Sequence, residues 1–267
     1  MTTIAKEFEI TSQGLMTGLE SKVKCMPSDE KGIRFHVGNE IVEAKVENVV
    51  ATDHCVVVGN QNAKVMLIEH FMAACAFSNI DSLDVYLSHY ELPILDGGSA
   101  QWIKLFGVNE PSDKYYTVNE PVYYENGKTS LVVLPSNEFL ITYAVNFNHP
   151  QLSQKWVSFN NKDEKQRNEI VEARTFGYLK ELETLQQMGF ARGVTVENTL
   201  GLTDDGYTSP LKSDNEPIKH KILDIIGDFY LSQKNPLNFK ANILVKEAGH
   251  AVHVNVCKVL KDKLIEI

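Results

Sequence analysis

The stretch PIKHKILDIIGDFYL, from Pro217 to Leu231, has the clearest helical pattern of the chain. At 100° per residue its apolar side chains fall on one arc and its polar side chains lie opposite. Glu216-Pro217 suits a helix start, because the N–H that proline lacks would have no partner in the first turn. His220 and Asp224 are four residues apart and so share one face. The stretch predicts an amphipathic helix that carries two metal ligands near its N-terminus.

The types of these two residues indicate which metal would fit. Imidazole nitrogen and carboxylate oxygen suit zinc, and a catalytic zinc site has three protein ligands and a water. One further His, Asp or Glu is therefore required. The alternative is a solvated polar face, because an isolated pair of this spacing also occurs on ordinary amphipathic helices.

A second helix is predicted from about Asn62 to Phe77, and it is apolar nearly all round except at Glu69-His70. A carboxylate and an imidazole in a mostly buried helix need a partner or a ligand, because desolvating an unpaired charge is costly. His70 is the predicted third ligand, and Glu69 is placed to take a proton from a metal-bound water. The alternative is a buried pair that satisfies only itself.

A third candidate, Gly249-His250, precedes the alternating stretch Val252 to Val256, which predicts a strand. At the edge of this strand His250 would act as a general acid toward a leaving amine. A nearby carboxylate such as Asp228 would keep it protonated. A structural role for His250 is the alternative, and His253 fits an ordinary packed or surface histidine.

Five motifs, in order along almost the whole chain, resemble the UDP-3-O-acyl-N-acetylglucosamine deacetylase family. Each motif alone is weakly specific, but five in the family's order are hard to obtain by chance. They are Ile68 to Ala74 (IEHFMAA), Glu91 to Gly97 (ELPILDG), Ala173 to Tyr178 (ARTFGY), His220 to Asp228 (HKILDIIGD) and Gly249-His250.

The resemblance implies a zinc-dependent amidohydrolase. Its reaction would remove acetate from the 2-amino group of UDP-3-O-(3-hydroxyacyl)-N-acetylglucosamine, the committed step toward lipid A and so toward lipopolysaccharide. One Zn2+ per chain would be held by His70, His220 and Asp224. Iron(II) in the cell would fit the same ligand types.

The resemblance also implies roles for other residues, and each suits amide hydrolysis, which needs an activated water, a charge sink and a proton for the amine. The catalytic roles are Glu69 as general base, His250 as general acid, Thr175 as oxyanion stabiliser, Asp228 as support for His250, and Lys221 as a contact of the diphosphate. Substrate contacts are further expected from Phe147 near the uridine, from Phe176 and a predicted strand Gly193 to Leu202 along the acyl chain, and from Lys246 in a basic patch with Lys221. Core packing for Phe147 and a solubilising role for Lys246 are the alternatives.

The fold that the resemblance implies is α+β, with two similar domains. Each domain is a small sheet with helices on one face, and the helices of both pack together between the two sheets. The sequence is compatible, because a predicted strand follows each predicted ligand-bearing helix, at Leu83 to Ser88 and at Ala241 to Lys246. The turn-rich stretch Gly107 to Asp113 marks the predicted boundary between domains 1–113 and 114–267.

Three positions depart from the family pattern. Met16 stands where histidine is usual, Asn146 where aspartate is common, and Ala248 where a serine precedes Gly249-His250. None of them is a proposed ligand or catalytic group. These departures bear on substrate affinity and on the choice of acyl chain.

The composition argues against several classes of protein. Lys and Arg number 26 against 35 Asp and Glu, a formal charge of -9, which disfavours nucleic acid or an anionic membrane as partner. No apolar stretch approaches the roughly 20 residues of a membrane span, and no signal peptide is predicted. The cysteines Cys25, Cys55, Cys75 and Cys257 lack CxxC spacing, which favours a reduced cytoplasmic protein, expected to be a monomer.

Two other functions stay open from the sequence. One is a zinc hydrolase of the same architecture that acts on a different N-acyl substrate. The other is a noncatalytic protein that binds nucleotide-linked lipids. The joint presence of base, acid and three ligands argues against the second, because binding alone needs none of this machinery.

Overall fold

The computed structural model describes all 267 residues as a mixture of strands and helices. The strands of the first half are β1 (Phe8–Gln13), β2 (Glu20–Pro27), β3 (Gly32–Val37), β4 (Glu40–Glu43), β5 (Val49–Ala51), β6 (Val57–Gly59), β7 (Lys64–Met66) and β8 (Ser82–Leu87). Those of the second half are β9 (Tyr116–Val118), β10 (Val122–Asn126), β11 (Thr129–Pro135), β12 (Leu140–Val145), β13 (Lys155–Asn160), β14 (Thr175–Tyr178), β15 (Thr199–Leu202), β16 (Ala241–Lys246) and β17 (Leu264–Glu266). The helices are α1 (Glu69–Phe77), α2 (Ala100–Phe106), α3 (Glu164–Glu172), α4 (Leu179–Gln187), α5 (Glu216–Tyr230) and α6 (His250–Lys263).

Two five-stranded sheets repeat one topology. The first has the order β1-β2-β8-β3-β4 and the second the order β10-β11-β16-β12-β13. In each sheet the central strand is parallel to one neighbour, β3 or β12, and every other pair is antiparallel. The predicted α+β fold with two similar halves is confirmed. The domain boundary at residue 113 stays a prediction.

Helices α1 and α5 lie side by side in the interior. All nine residues of α1 are buried, and so is every residue of α5 except Lys221. The backbones approach so closely at Gly227 that a Cβ there would lie 2.0 Å from the carbonyl oxygen of Glu69. One apolar core joins both helices to side chains of both sheets. The alternative of a solvated polar face on α5 is therefore wrong.

The helix predicted from Asn62 begins only at Glu69. Lys64–Met66 form strand β7, which pairs with β6. Leu67 then adopts a left-handed conformation with φ of 62°, which interrupts any helix. A short apolar run fits either structure locally, and pairing with β6 decides for the strand.

The strand predicted at Val252 to Val256 is also wrong, because these residues belong to helix α6. Alternating valines favour a strand locally. The buried residues Val256, Cys257 and Leu260, however, follow helical spacing. Burial of this helical face outweighs the β-propensity of the valines, and His250 lies at a helix start rather than at a strand edge.

Of the predicted strand Gly193 to Leu202, only β15 is a strand, paired in parallel with β14. The residues before it form a turn around Asn198. The Asn198 side chain accepts a hydrogen bond from the Thr195 N–H at 3.0 Å and donates one to the Gly193 carbonyl at 3.0 Å. Such local side-chain bonds compete with strand pairing.

All four cysteines are buried and free of disulfides, which is consistent with their spacing in the sequence. None of the helices combines the length and the apolar content needed to cross a membrane.

Candidate active site

Three buried side chains from α1 and α5 converge at the predicted metal centre. Asp224 Oδ1 lies 3.3 Å from His220 Nε2 and 3.7 Å from His70 Nε2. One ligand atom from each residue can be chosen so that all lie within 4.8 Å of one another. Each side chain is only 4% exposed. The packing of α1 on α5 thus brings His70 to His220 and Asp224, which lie about 150 residues further along the chain.

The chemical state of these groups suits a metal ion. His220 Nδ1 lies 3.0 Å from the Ala173 carbonyl and donates to it, so Nε2 has a free lone pair. Burial lowers the pKa of His70 to about 3 and also lowers that of His220, which keeps both imidazoles neutral. Burial alone would raise the pKa of Asp224, but Lys221 and the histidines hold it well below its usual range. Asp224 Oδ1 is buried without a hydrogen-bond partner, as expected of an atom that faces a cation.

Lys221 contacts the other oxygen of the same carboxylate. Its Nζ lies 2.8 Å from Asp224 Oδ2, and its side chain is 13% exposed. Burial disfavours the ammonium, yet the charge of Asp224 raises the pKa of Lys221 above its usual value. Lys221 therefore remains cationic at the edge of the metal centre, where an anionic substrate group would meet it.

Glu69 begins α1 and adjoins the ligand His70 in sequence. Its Oε2 accepts a hydrogen bond from the Val56 N–H at 2.9 Å. Its Oε1 lies 3.8 Å from His250 Nε2. Burial is the main cause that raises the pKa of Glu69, to about 7. A carboxylate with this pKa exchanges protons near neutral pH, as a general base must.

His250 is the first residue of α6 and lies beside the metal centre. Its Nδ1 is 2.8 Å from Asp228 Oδ2, and its Nε2 is 4.0 Å from Asp224 Oδ2. Burial alone would lower the pKa of His250, but the carboxylates, Asp228 first, raise it to about 9. The ring is therefore protonated at neutral pH and can act as a general acid.

A cavity of about 480 Å³ opens from the metal centre. At its polar end lie the three ligands with Glu69, Lys221, His250 and Thr175, the last on strand β14 with its N–H donated to the Gly97 carbonyl at 2.8 Å. The remaining wall is mostly apolar: Leu15, Met16, Leu67, Phe176, Leu179, Leu182, Leu185, Phe190, Ala191, Val194 and Val196. This cavity can hold a polar reacting group and a long apolar chain at the same time.

The predicted substrate contacts are only partly brought together. Phe176 lines the cavity, and its ring packs against Phe147 with centroids 5.5 Å apart. Phe147 in turn lines an adjoining cavity of about 510 Å³ that also includes Lys180. Lys246 is exposed on β16 and lies outside the lining of both cavities. Asp228 is fully buried behind His250 rather than in the cavity.

The three departures from the family pattern occupy different places. Met16 lines the apolar part of the cavity, and its N–H donates to Glu91 at 2.6 Å. Asn146 is exposed, and its side-chain oxygen accepts from the Gln154 N–H at 3.2 Å. The Ala248 carbonyl accepts a hydrogen bond from the Tyr143 hydroxyl at 2.8 Å. Only Met16 faces the cavity.

An ion pair that the sequence did not reveal holds β14 to α5. The Arg174 guanidinium makes a bidentate contact with Glu216, through Nε at 2.8 Å and Nη2 at 3.0 Å. Arg174 lies between Ala173, which bonds His220, and Thr175. The pair thus fixes the segment that orients one ligand and lines the cavity. Its partners are 42 residues apart, so no local pattern could have indicated it.

Known proteins resemble this chain over nearly its whole length. The sequence model of the family described as LpxC, UDP-3-O-acyl N-acetylglycosamine deacetylase, matches residues 1–262. A protein of Geotalea uraniireducens with the name UDP-3-O-acyl-N-acetylglucosamine deacetylase is 34% identical, over 94% of this chain and 85% of its own. Proteins of the same name from Syntrophotalea carbinolica and Leptospira biflexa are 32% and 30% identical, over 97% and 98% of this chain and 87% and 90% of theirs. The chain belongs to the UDP-3-O-acyl N-acetylglycosamine deacetylase family.

Proposed function

We propose that this protein is a zinc-dependent amidohydrolase that releases acetate from UDP-3-O-(3-hydroxyacyl)-N-acetylglucosamine, the committed step of lipid A biosynthesis. The observation that carries the proposal is the convergence of His70, His220 and Asp224 beside Glu69 and His250. A noncatalytic binding protein needs no base and acid beside a metal centre. Membership of the deacetylase family supports the substrate.

The residues divide the work of amide hydrolysis. Zinc, when bound, supplies a water of lowered pKa and polarises the amide carbonyl. Glu69 takes a proton from the attacking water, and the Thr175 hydroxyl donates a hydrogen bond to the developing oxyanion. His250, kept protonated by Asp228, donates its Nε2 proton to the departing 2-amino group.

The remaining parts of the substrate match the rest of the site. The apolar wall of the cavity suits a 3-O-acyl chain, since its burial there removes apolar surface from water. We assign the diphosphate contact to Lys221, which lines the cavity, and the edge-to-face pair of Phe147 and Phe176 offers a surface for the uridine side. Lys246 lies outside both cavities, so we assign it no contact.

Zinc is the proposed metal because two neutral imidazoles and one carboxylate leave a fourth position for water, as in catalytic zinc sites. Iron(II) remains the competing occupant in the cell. The four unpaired cysteines support the proposed cytoplasmic location. A monomer is proposed because one chain supplies the complete set of ligands, base and acid.

Acetate release by metal-stripped protein, before and after one equivalent of zinc, tests the proposal. We expect release from the UDP-linked substrate only after zinc is restored. Zinc binding without release would contradict the substrate assignment. Turnover of N-acyl compounds that lack the nucleotide would then favour the related hydrolase, and binding of UDP without any turnover would favour the binding protein.

A further inference from the structure

A second histidine lies behind Asp228 and has no part in the proposed reaction. His253 is fully buried, and its Nδ1 lies 2.8 Å from Asp228 Oδ2. The same oxygen is 2.8 Å from His250 Nδ1. We propose that His253 is a positioning residue, which fixes the Asp228 carboxylate so that His250 keeps its Nε2 directed at the metal centre.

The geometry of α6 explains why both rings meet one oxygen. His250 and His253 are three residues apart, so they project from the same side of the helix. An ionised carboxylate can only accept, so both Nδ1 atoms donate. Asp228 Oδ1 is buried and has no hydrogen-bond partner. The two imidazoles are therefore all that restrains rotation of this carboxylate through hydrogen bonds.

His253 has an anchor of its own in the second sheet. Its Nε2 lies 3.0 Å from the Tyr143 hydroxyl, whose single proton is donated either to this nitrogen or to the Ala248 carbonyl, 2.8 Å away. Tyr143 is fully buried on β12. A continuous chain of contacts thus runs from the sheet through Tyr143, His253 and Asp228 to His250.

The two histidines differ in what holds them. The His250 side chain is 11% exposed and borders the cavity, whereas His253 is fully enclosed. Without His253, Asp228 can turn either oxygen toward His250, and the acid loses its fixed direction. His253 makes no hydrogen bond to His70, His220 or Asp224, so its loss leaves the metal ligands in place. Outer partners of this kind change activity by roughly 10 to 100-fold.

The test compares His253→Asn with His253→Gln in the zinc-loaded enzyme and rests on the proposed function. Asparagine places its amide nitrogen near the position of Nδ1 and can still donate to Asp228, whereas glutamine places it near Nε2. We expect His253→Asn to retain kcat and His253→Gln to lower kcat by at least about tenfold, with KM and zinc content unchanged in both. An equal fall in the two variants, or no fall in His253→Gln, overturns the inference.

A second readout does not depend on acetate release. The Nδ1 proton of His250, followed by NMR in the zinc-loaded protein, should exchange slowly in the wild type and in His253→Asn and rapidly in His253→Gln. Equal exchange in all three overturns the positioning role, even where kcat changes. If the three proteins differ in exchange as expected but the wild type releases no acetate, the proposed function alone is overturned. If His253→Gln does not fold, Tyr143→Phe replaces it. This variant removes the hydroxyl next to His253 Nε2, so kcat should fall, and an unchanged kcat overturns the inference.

Discussion

The two halves of the molecule share one sheet topology but supply different chemistry. In the first half, α1 carries the proposed base Glu69 and the proposed ligand His70 on its first two residues, and the Ser99 hydroxyl before α2 donates to the His70 carbonyl at 2.7 Å. In the second half, α5 carries two proposed ligands and Asp228, and α6 begins with the proposed acid His250. The residue before α2 therefore supports the backbone of α1 in the first half. The corresponding helix of the second half, α6, begins with the proposed acid.

This difference shows that repetition of a fold need not repeat a site. A hydrolytic centre needs a base for the attacking water and an acid for the leaving group, because each serves a different atom. Here the proposed base begins α1, the proposed acid begins α6, and α5 carries two of the proposed ligands. The asymmetry lies in side chains and not in topology, and each half can be tested separately.

Removal of a proposed metal ligand should have the largest effect, and it should weaken zinc binding whichever half supplies the ligand. His70→Ala and His220→Ala are each expected to weaken zinc binding by more than about 100-fold, because even outer partners of ligands cost 10 to 100-fold. Zinc titration against a competing chelator measures this. His36→Ala is the matched control, since His36 bonds Asp84 on the first sheet. Retention of zinc by either ligand variant would contradict the site.

Removal of the proposed base should show that the first half contributes to catalysis as well as to metal binding. Glu69→Gln is expected to lower kcat by about 100 to 10,000-fold, because it removes proton transfer while it leaves the ligands intact. Zinc content, measured on the same sample, should stay at one per chain. Glu164→Gln, at an exposed position on α3, is the control. A Glu69→Gln enzyme of normal kcat would remove Glu69 from the base role.

The contact between the halves can be strained at Gly227. Gly227→Ala places a Cβ 2.0 Å from the Glu69 carbonyl oxygen, so α1 and α5 must move apart. We expect a loss of about 1 to 3 kcal/mol in the free energy of unfolding, the usual cost of overpacking, together with weaker zinc binding. Denaturant unfolding measures the first quantity. Gly249→Ala, whose Cβ would meet nothing within 4 Å, is the control, and equal stability of the two variants would contradict the close contact.

The smallest expected change is in the pH dependence of kcat/KM. Its rising limb reports the proposed base in the first half, and its falling limb reports the proposed acid in the second half. Activity requires ionised Glu69 and protonated His250, so kcat/KM should rise as pH passes about 7 and fall as it passes about 9. Asp228 raises the pKa of His250, so Asp228→Asn should move the falling limb to lower pH. The rising limb should move to lower pH as well, because the charge of Asp228 also contributes to the raised pKa of Glu69. A falling limb that stays put would contradict the pairing of Asp228 with His250.

Local pattern predicted α5 well and α6 badly, for a physical reason. In Glu216–Tyr230 the apolar spacing, the proline near the start and the polar positions all favour a helix. Around Val252 to Val256 the valines favour a strand, and only burial of Val256, Cys257 and Leu260 reveals the helix. Where propensity and burial disagree, long-range packing decides the structure.

The sequence by itself indicated the family through the order of its motifs, the α+β class through that resemblance, and the residue types of the proposed metal centre through local spacing and motifs. The tertiary structure decided which groups meet: His70 with Asp224 across two helices, His253 behind Asp228, and Arg174 on Glu216. It also decided that Lys246 stays outside the cavity. Contacts between residues distant in the chain follow from the packing of whole helices and sheets, and no short window of sequence contains that information.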